Sequence, residues 1–245
     1  GDGHTVTLDG TTNGVFTSTS ASAVIQNLAV EGIVSGGEKI AGVVGMNAGT
    51  IKNCKNAANV TSTGRYVGGI AGKTTGSISE CYNIGMITST YTGSRGHIGG
   101  IAGDSSSKIE NCYNAGQLDV GELGNCGAIV GWHNGETINN CYYLDSSYEK
   151  GGNVYKSDNL NAIISKPADE MKSPEFATLL GSAFKPKAGD YPALKWETPT
   201  ASVNFDITPA NAQLTITKTG AEEGSVVYTG TGGTIALPAG KYSCT

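Results

Sequence analysis

Six cysteines are the first residues in this 245-residue chain whose type and spacing could do chemistry. Thiolates ligate metals and paired thiols form disulfides. Cys54, Cys81, Cys112 and Cys141 recur at nearly even intervals, with no C-x-x-C pair. Leu28 fills the same slot upstream, and Cys126 stands where Ile40, Val67 and Ile98 stand in other copies. A slot that takes Leu or Ile is buried and apolar, so these cysteines read as reduced core thiols. Stacked copies would bring neighbouring cysteines to about 5 Å, so distance alone leaves a bridge open. His4, His97 and His133 occupy unrelated positions, which predicts no metal site and no cofactor. Asp104 and Glu110 could form the carboxylate pair of glycoside cleavage. Equivalent positions hold Lys73 or Met46 and Ser79 or Lys52, so no acidic column forms and no catalytic residue is assigned. The remaining candidates are aromatic. Tyr82, Tyr113 and Tyr142 each follow a cysteine, and strand alternation turns them away from the core. With Tyr66, Tyr91 and Trp132 they form a candidate binding surface for sugar or protein, the bland alternative being a shielded strand face.

The elements that must position these residues are repeats. Four glycine-framed apolar blocks recur: 41–45, 68–72, 99–103 and 127–131. Each leads to an isoleucine (Ile51, Ile78, Ile109, Ile138) and, three positions on, to a cysteine. Asn56, Asn83 and Asn114 follow two positions after the first three cysteines, then Val60, Ile87 and Leu118. Length varies only in Ser89 to Arg95 and Asp119 to Asn125, which places insertions in loops on one face. The apolar stretches are short and punctuated by Gly, Ser, Thr and Asn, which is strand and turn patterning. A period of roughly 30 residues is one coil of a parallel β-helix, right-handed by the crossover rule. Equivalent residues then stack about 4.8 Å apart into Ile, Cys and Asn ladders, the Asn ladder bonding side chain to side chain.

Composition agrees. There are 37 glycines, and 15% of residues are charged against about 25% in an average protein. This excludes a helical bundle, and the lack of a three-residue glycine period excludes collagen. Hydrophobic residues at 38% with a net charge of −5 can still bury a core. The 16 basic residues include only Arg65 and Arg95 as arginines and form no cluster, so no nucleic-acid partner is expected. No apolar run reaches the length of a membrane span. The polar opening 1–4 carries no signal peptide, and a fragment of a longer protein is expected.

The blocks read G-G-I-A-G…S-I-x-x-C-Y-N-x-G, and they resemble the GLUG-motif repeats of bacterial surface proteins. Gly3 to Leu8 and Gly14 to Phe16 resemble the lead-in coil. Cys141 to Asp145, Glu170 to Phe176 and Tyr191 to Trp196 resemble the end of such an array, over about 1–197. Such arrays occur in exported proteins often called adhesins and in the non-catalytic part of some IgA-cleaving proteases. The resemblance implies a secreted or cell-surface location and a non-enzymatic adhesion role toward a surface glycan or host protein, as a monomer. It implies no ligand residues. The alternatives are a carbohydrate-active β-helix enzyme, a polysaccharide lyase or hydrolase, and an inert stalk.

A C-terminal cap is expected over about 148–197. Ser173 is a helix N-cap, Pro174 suits the first helical position, and Phe176, Leu179 and Leu180 make an apolar stripe ended by Gly181. Trp196 is expected to plug the end of the core. After the linker 198–201, alternation in 203–207 and 214–217 suggests a small β-sandwich over 201–245. The runs 207–212 and 237–242 resemble PEGA-type surface domains, and a domain confined to 201–245 would be a truncated one.

Overall fold

A computed structural model describes residues 3–11, 13–93, 95–121, 124–154, 161–197, 200–205, 213–219, 226–231, 233–238 and 241–245. The chain divides into two compact units, Gly1–Trp196 and Glu197–Thr245.

The first unit is an all-β solenoid of parallel, stacked coils. Its coils are in the register that the repeats prescribe. Ile51, Ile78, Ile109 and Ile138 pair in sequence. So do Val60, Ile87 and Leu118, and Ile40, Val67, Ile98 and Cys126. These columns point inward and are buried. Each coil contributes only a few branched side chains, but the stack joins them into one continuous core. At the N-terminal end the strand His4–Thr11 lies parallel to Val24–Gly36 and covers the first coil.

The corners explain the remaining repeated residues. Asn27, Asn53, Glu80, Asn111 and Asn140 form a column of left-handed residues with φ of 50–53°. Asparagine enters that region more readily than most side chains. The following cysteine is buried, and its thiol donates to the carbonyl two positions back, at 3.2 Å for Cys54, 3.1 Å for Cys81, 3.2 Å for Cys112 and 3.3 Å for Cys141. Cys54, Cys81, Cys112, Cys126 and Cys141 are all unbridged. Burial raises the Cys81 and Cys141 thiols above their ordinary range and pushes Cys126 up to about 11. The side chain of Cys244 lies outside the described residues.

The next corner carries the asparagine ladder. Asn56 Nδ2 donates to Asn83 Oδ1, and Asn83 Nδ2 to Asn114 Oδ1, each at 2.7 Å. Each amide also closes its own turn, donating to the carbonyl two positions on and accepting that residue's N–H. Fully buried amides are thereby satisfied on both ends. A Cβ at Gly42, Gly69 or Gly100 would collide with Asn56, Asn83 or Asn114 respectively. The ladder ends at Tyr143, which pairs with Asn114, and there the glycine slot becomes Ala128.

Within the segment expected as a cap, Gly152–Val154 and Ile163–Lys166 pair with the last coil, and Ile163 joins the solenoid core. Two short helices, α1 (Ala168–Met171) and α2 (Pro174–Leu180), precede an antiparallel hairpin of Phe184–Lys187 and Asp190–Leu194. Ser173 caps α2 by accepting the Phe176 N–H at 3.2 Å, and Gly181 ends it with φ of 102°. The helices, the hairpin and Trp196 do not plug the end of the core. They lie along the outer flank of the coils, over Tyr82, Tyr113 and Tyr142, and bury Met171, Phe176, Leu180, Phe184 and Leu194 against them. Trp196 accordingly donates from Nε1 to the Asn53 carbonyl in the second full coil, at 2.9 Å. Within α2 the buried face is Phe176, Ala177 and Leu180, whereas Leu179 is 50% exposed.

The second unit is antiparallel throughout its described strands. Thr200–Phe205 pairs with Gly233–Pro238, and Leu214–Thr219 lies between Val226–Gly230 and Lys241–Cys244. The run 207–212, which carries much of the PEGA resemblance, lies outside the described residues, as do 239–240. Ser94, Glu122 and Leu123 of the two length-variable loops also lie outside them.

Candidate binding cleft

The six aromatic candidates divide into two groups. Tyr82 and Tyr113 stack face to face, with centroids 4.8 Å apart and planes 7° off parallel. Phe176 meets Tyr113 and Tyr142 edge-on at 5.8 and 5.2 Å. The Tyr113 hydroxyl donates to the Pro192 carbonyl, and that of Tyr142 to Asn140 Oδ1 at 2.7 Å. All three rings are buried. They do point away from the solenoid core, but they form the floor of a second core and present no surface to a ligand. The exposed row expected of Tyr82, Tyr113 and Tyr142 is therefore corrected. The physical reason is that a strip of aromatic rings is itself apolar surface, and the amphipathic α2 needs such a surface to cover its own stripe.

Tyr66 and Trp132 belong to a different face. They line an open cleft of about 340 Å³ together with Arg65, Arg95, His97 and Asn125. Two neighbouring columns supply it. Tyr66, His97 and Asn125 stand just before the buried Val67, Ile98 and Cys126. Lys73, Asp104 and Trp132 are in register on the next strands. The Tyr66 ring meets His97 edge-on at 5.2 Å, and His97 lies 6.0 Å from Trp132. Tyr66 has φ of 64°, a left-handed conformation that is costly for a bulky side chain. Tyr91 is half-buried in the loop before His97, and its phenol acts electrostatically on Arg65 without lining the cleft.

Charges are arranged around these rings. His97 Nδ1 donates to Asp104 Oδ2 at 2.7 Å, and Lys73 Nζ lies 3.5 Å from Asp104 Oδ1. Burial works against the Asp104 carboxylate, but the His97 hydrogen bond and the Lys73 charge outweigh it and hold its pKa below the usual value. Arg65 pairs with Glu38 at 2.8 Å and sits 5.1 Å from the Tyr66 centroid, with Lys73 at 5.0 Å from the same ring. Arg95 makes no ion pair or hydrogen bond among the described residues, and the Trp132 indole N–H, the His97 Nε2 and the Asn125 amide have no protein partner there. Among the described residues no three His, Cys, Asp or Glu side chains are grouped to hold a metal ion. Likewise, no described helix is long and apolar enough to cross a membrane.

Sequence reasoning singles out Tyr66 and Trp132 but not Arg65, Arg95, His97 and Asn125 as their neighbours. A signal is present. Both arginines of the chain fall just upstream of the same apolar column, at Val67 and at Ile98.

No family model and no curated protein matches the chain. Among solved structures it is similar to a protein described as a putative immunoglobulin A1 protease from Bacteroides ovatus. The two align with a TM-score of 0.55 at 18% identity, over 80% of this chain and 76% of that one. At that identity the likeness shows a shared fold.

Proposed function

We propose that this chain is a non-catalytic binding module of a secreted or cell-surface protein of the GLUG-repeat kind, followed by a PEGA-like domain. Its cleft at Tyr66, His97 and Trp132 engages a glycan. The observation that carries this reading is the cleft itself. Two aromatic side chains flank a fixed imidazole, with unengaged polar groups alongside, on a stacked β scaffold that holds them in place. Aromatic faces offer rigid contact to the apolar face of a sugar, and the polar groups supply orientation. The likeness to a protein described as an immunoglobulin A1 protease is compatible with a surface or secreted setting.

The His97–Asp104 pair supports a second reading, a carbohydrate-active β-helix enzyme, because a carboxylate-oriented imidazole can move protons. One experiment separates the readings. The purified chain is applied to a glycan and host-glycoprotein array and incubated with the hits. Binding that falls at least tenfold in Trp132→Ala and Tyr66→Ala, with the sugar recovered intact, supports the module. Release of reducing or unsaturated sugar supports the enzyme. The absence of any hit at high concentration supports an inert stalk and overturns the binding reading.

A further inference from the structure

Building on this binding reading, we infer that the cleft selects sugars that carry a carboxylate, with Arg95 as the selecting residue. The chain has two arginines in 245 residues, and folding brings both to this one cleft from successive coils. Their situations differ. The Arg65 guanidinium is engaged by Glu38 and lies over Tyr66. Arg95 is exposed and unengaged among the described residues. The acidic groups close by are already used, Glu38 by Arg65 and Asp104 by His97 and Lys73. Arg65, Lys73 and Arg95 thus face two carboxylates, which leaves a local positive charge on a chain whose net charge is −5.

A planar guanidinium fork matches a carboxylate with two parallel hydrogen bonds, which a lysine cannot reproduce. The groups beside it fit the rest of an acidic sugar. The Trp132 ring offers a stacking face, its indole N–H and the Asn125 amide can meet hydroxyl oxygens, and His97 Nε2 can meet a further polar group. His97 Nδ1 carries the proton donated to Asp104, so the ring's orientation is set before any ligand arrives. The required chemistry is a pyranose bearing a carboxylate. A uronic acid of a polysaccharide and a sialic acid of a host glycan both supply it.

The test uses isothermal titration calorimetry on the full chain with two pairs of probes. Trigalacturonate is compared with its methyl ester, and 3′-sialyllactose with lactose. The expected result is at least tenfold tighter binding of the acid in one or both pairs, and the pair that shows it identifies the source. Arg95→Gln should erase that preference, and Arg95→Lys should restore only part of it. Because Arg95 is exposed and supports no other residue, these variants should unfold at the wild-type urea concentration. If acid and neutral probes bind equally, and Trp132→Ala still weakens both, the carboxylate inference is overturned and the binding reading stands. If no sugar binds, both are overturned. An acid preference that survives Arg95→Gln overturns the role given to Arg95.

Discussion

Replacing Gly42 with alanine places a Cβ well inside van der Waals contact of the Asn56 side-chain amide. The cost can be worked from what that amide does. Its Nδ2 donates to the Ala58 carbonyl at 2.9 Å and to Asn83 Oδ1 at 2.7 Å, and its Oδ1 accepts the Ala58 N–H at 3.2 Å. These three bonds are buried, and at about 1 kcal/mol each their loss in Asn56→Ala destabilises by roughly 3 kcal/mol. Gly42→Ala must displace the same amide, so it should cost about as much. In the double variant the amide is absent, and the next atom the new Cβ meets is the Gly69 carbonyl oxygen at 2.9 Å. The two costs should therefore fail to add, with a coupling of about 2–3 kcal/mol. Urea unfolding of the four proteins, followed by the fluorescence of Trp132 and Trp196, measures it. Additivity to within about 0.5 kcal/mol, the behaviour of independent sites, would refute the claim that the glycine is there to admit the asparagine. The fold already contains one such exchange, since Ala128 replaces the glycine where Tyr143 replaces the asparagine.

Three further outcomes follow from the same geometry. Glu80 is the one non-asparagine in its left-handed column, so Glu80→Asn should stabilise by about 0.5–1 kcal/mol and raise Tm by about 1–4 °C in calorimetry. Phe176→Ala should remove the central ring of the second core and cost about 3–5 kcal/mol locally, read as proteolysis within 167–196 at conditions where the coils stay intact; simultaneous digestion of both would show that flank and coils unfold as one. Cys126 holds its proton to about pH 11 when folded but to about pH 8.5–9 when unfolded, so the folded state binds more protons in between. Stability should therefore fall as pH rises through that window, and Cys126→Val, a residue type its column already accepts at Val67, should flatten the alkaline limb of a urea-midpoint profile.

The solenoid is legible in the sequence because its columns repeat. In-register stacking makes each column a test of one residue type against its own copies, so Ile, Cys, Asn and Gly declare their places by recurrence alone. The corner geometry is less legible. Asparagine at 27, 53, 111 and 140 is a weak signal alone, and Glu80 hides it. The tyrosine row is misread for a physical reason. Alternation settles only whether a side chain points toward the nearest core, and it is silent about whether a distant segment will cover the other face. A sign of the cover exists in the sequence, as an unpartnered stripe at Phe176 and Leu180 far downstream of Tyr142. Pairing the two requires recognising that both are apolar strips without a mate.

The cleft can be recognised by where the repetition lapses. Structural columns keep one residue type because stacking rewards identity: isoleucines interlock, and asparagines bond to one another. The two columns that build the cleft do the opposite. One runs Met46, Lys73, Asp104, Trp132, and the other runs Tyr66, His97, Asn125, with a different chemistry on every coil. No stacking preference produces such a sequence, yet its members fit one another: His97 with Asp104, Lys73 with Tyr66 and Asp104, and His97 with Tyr66 and Trp132. A periodic scaffold that holds five different side chains in adjoining ladders has fixed a particular arrangement of charge and ring. On the buried faces the same scaffold fixes only a repeat.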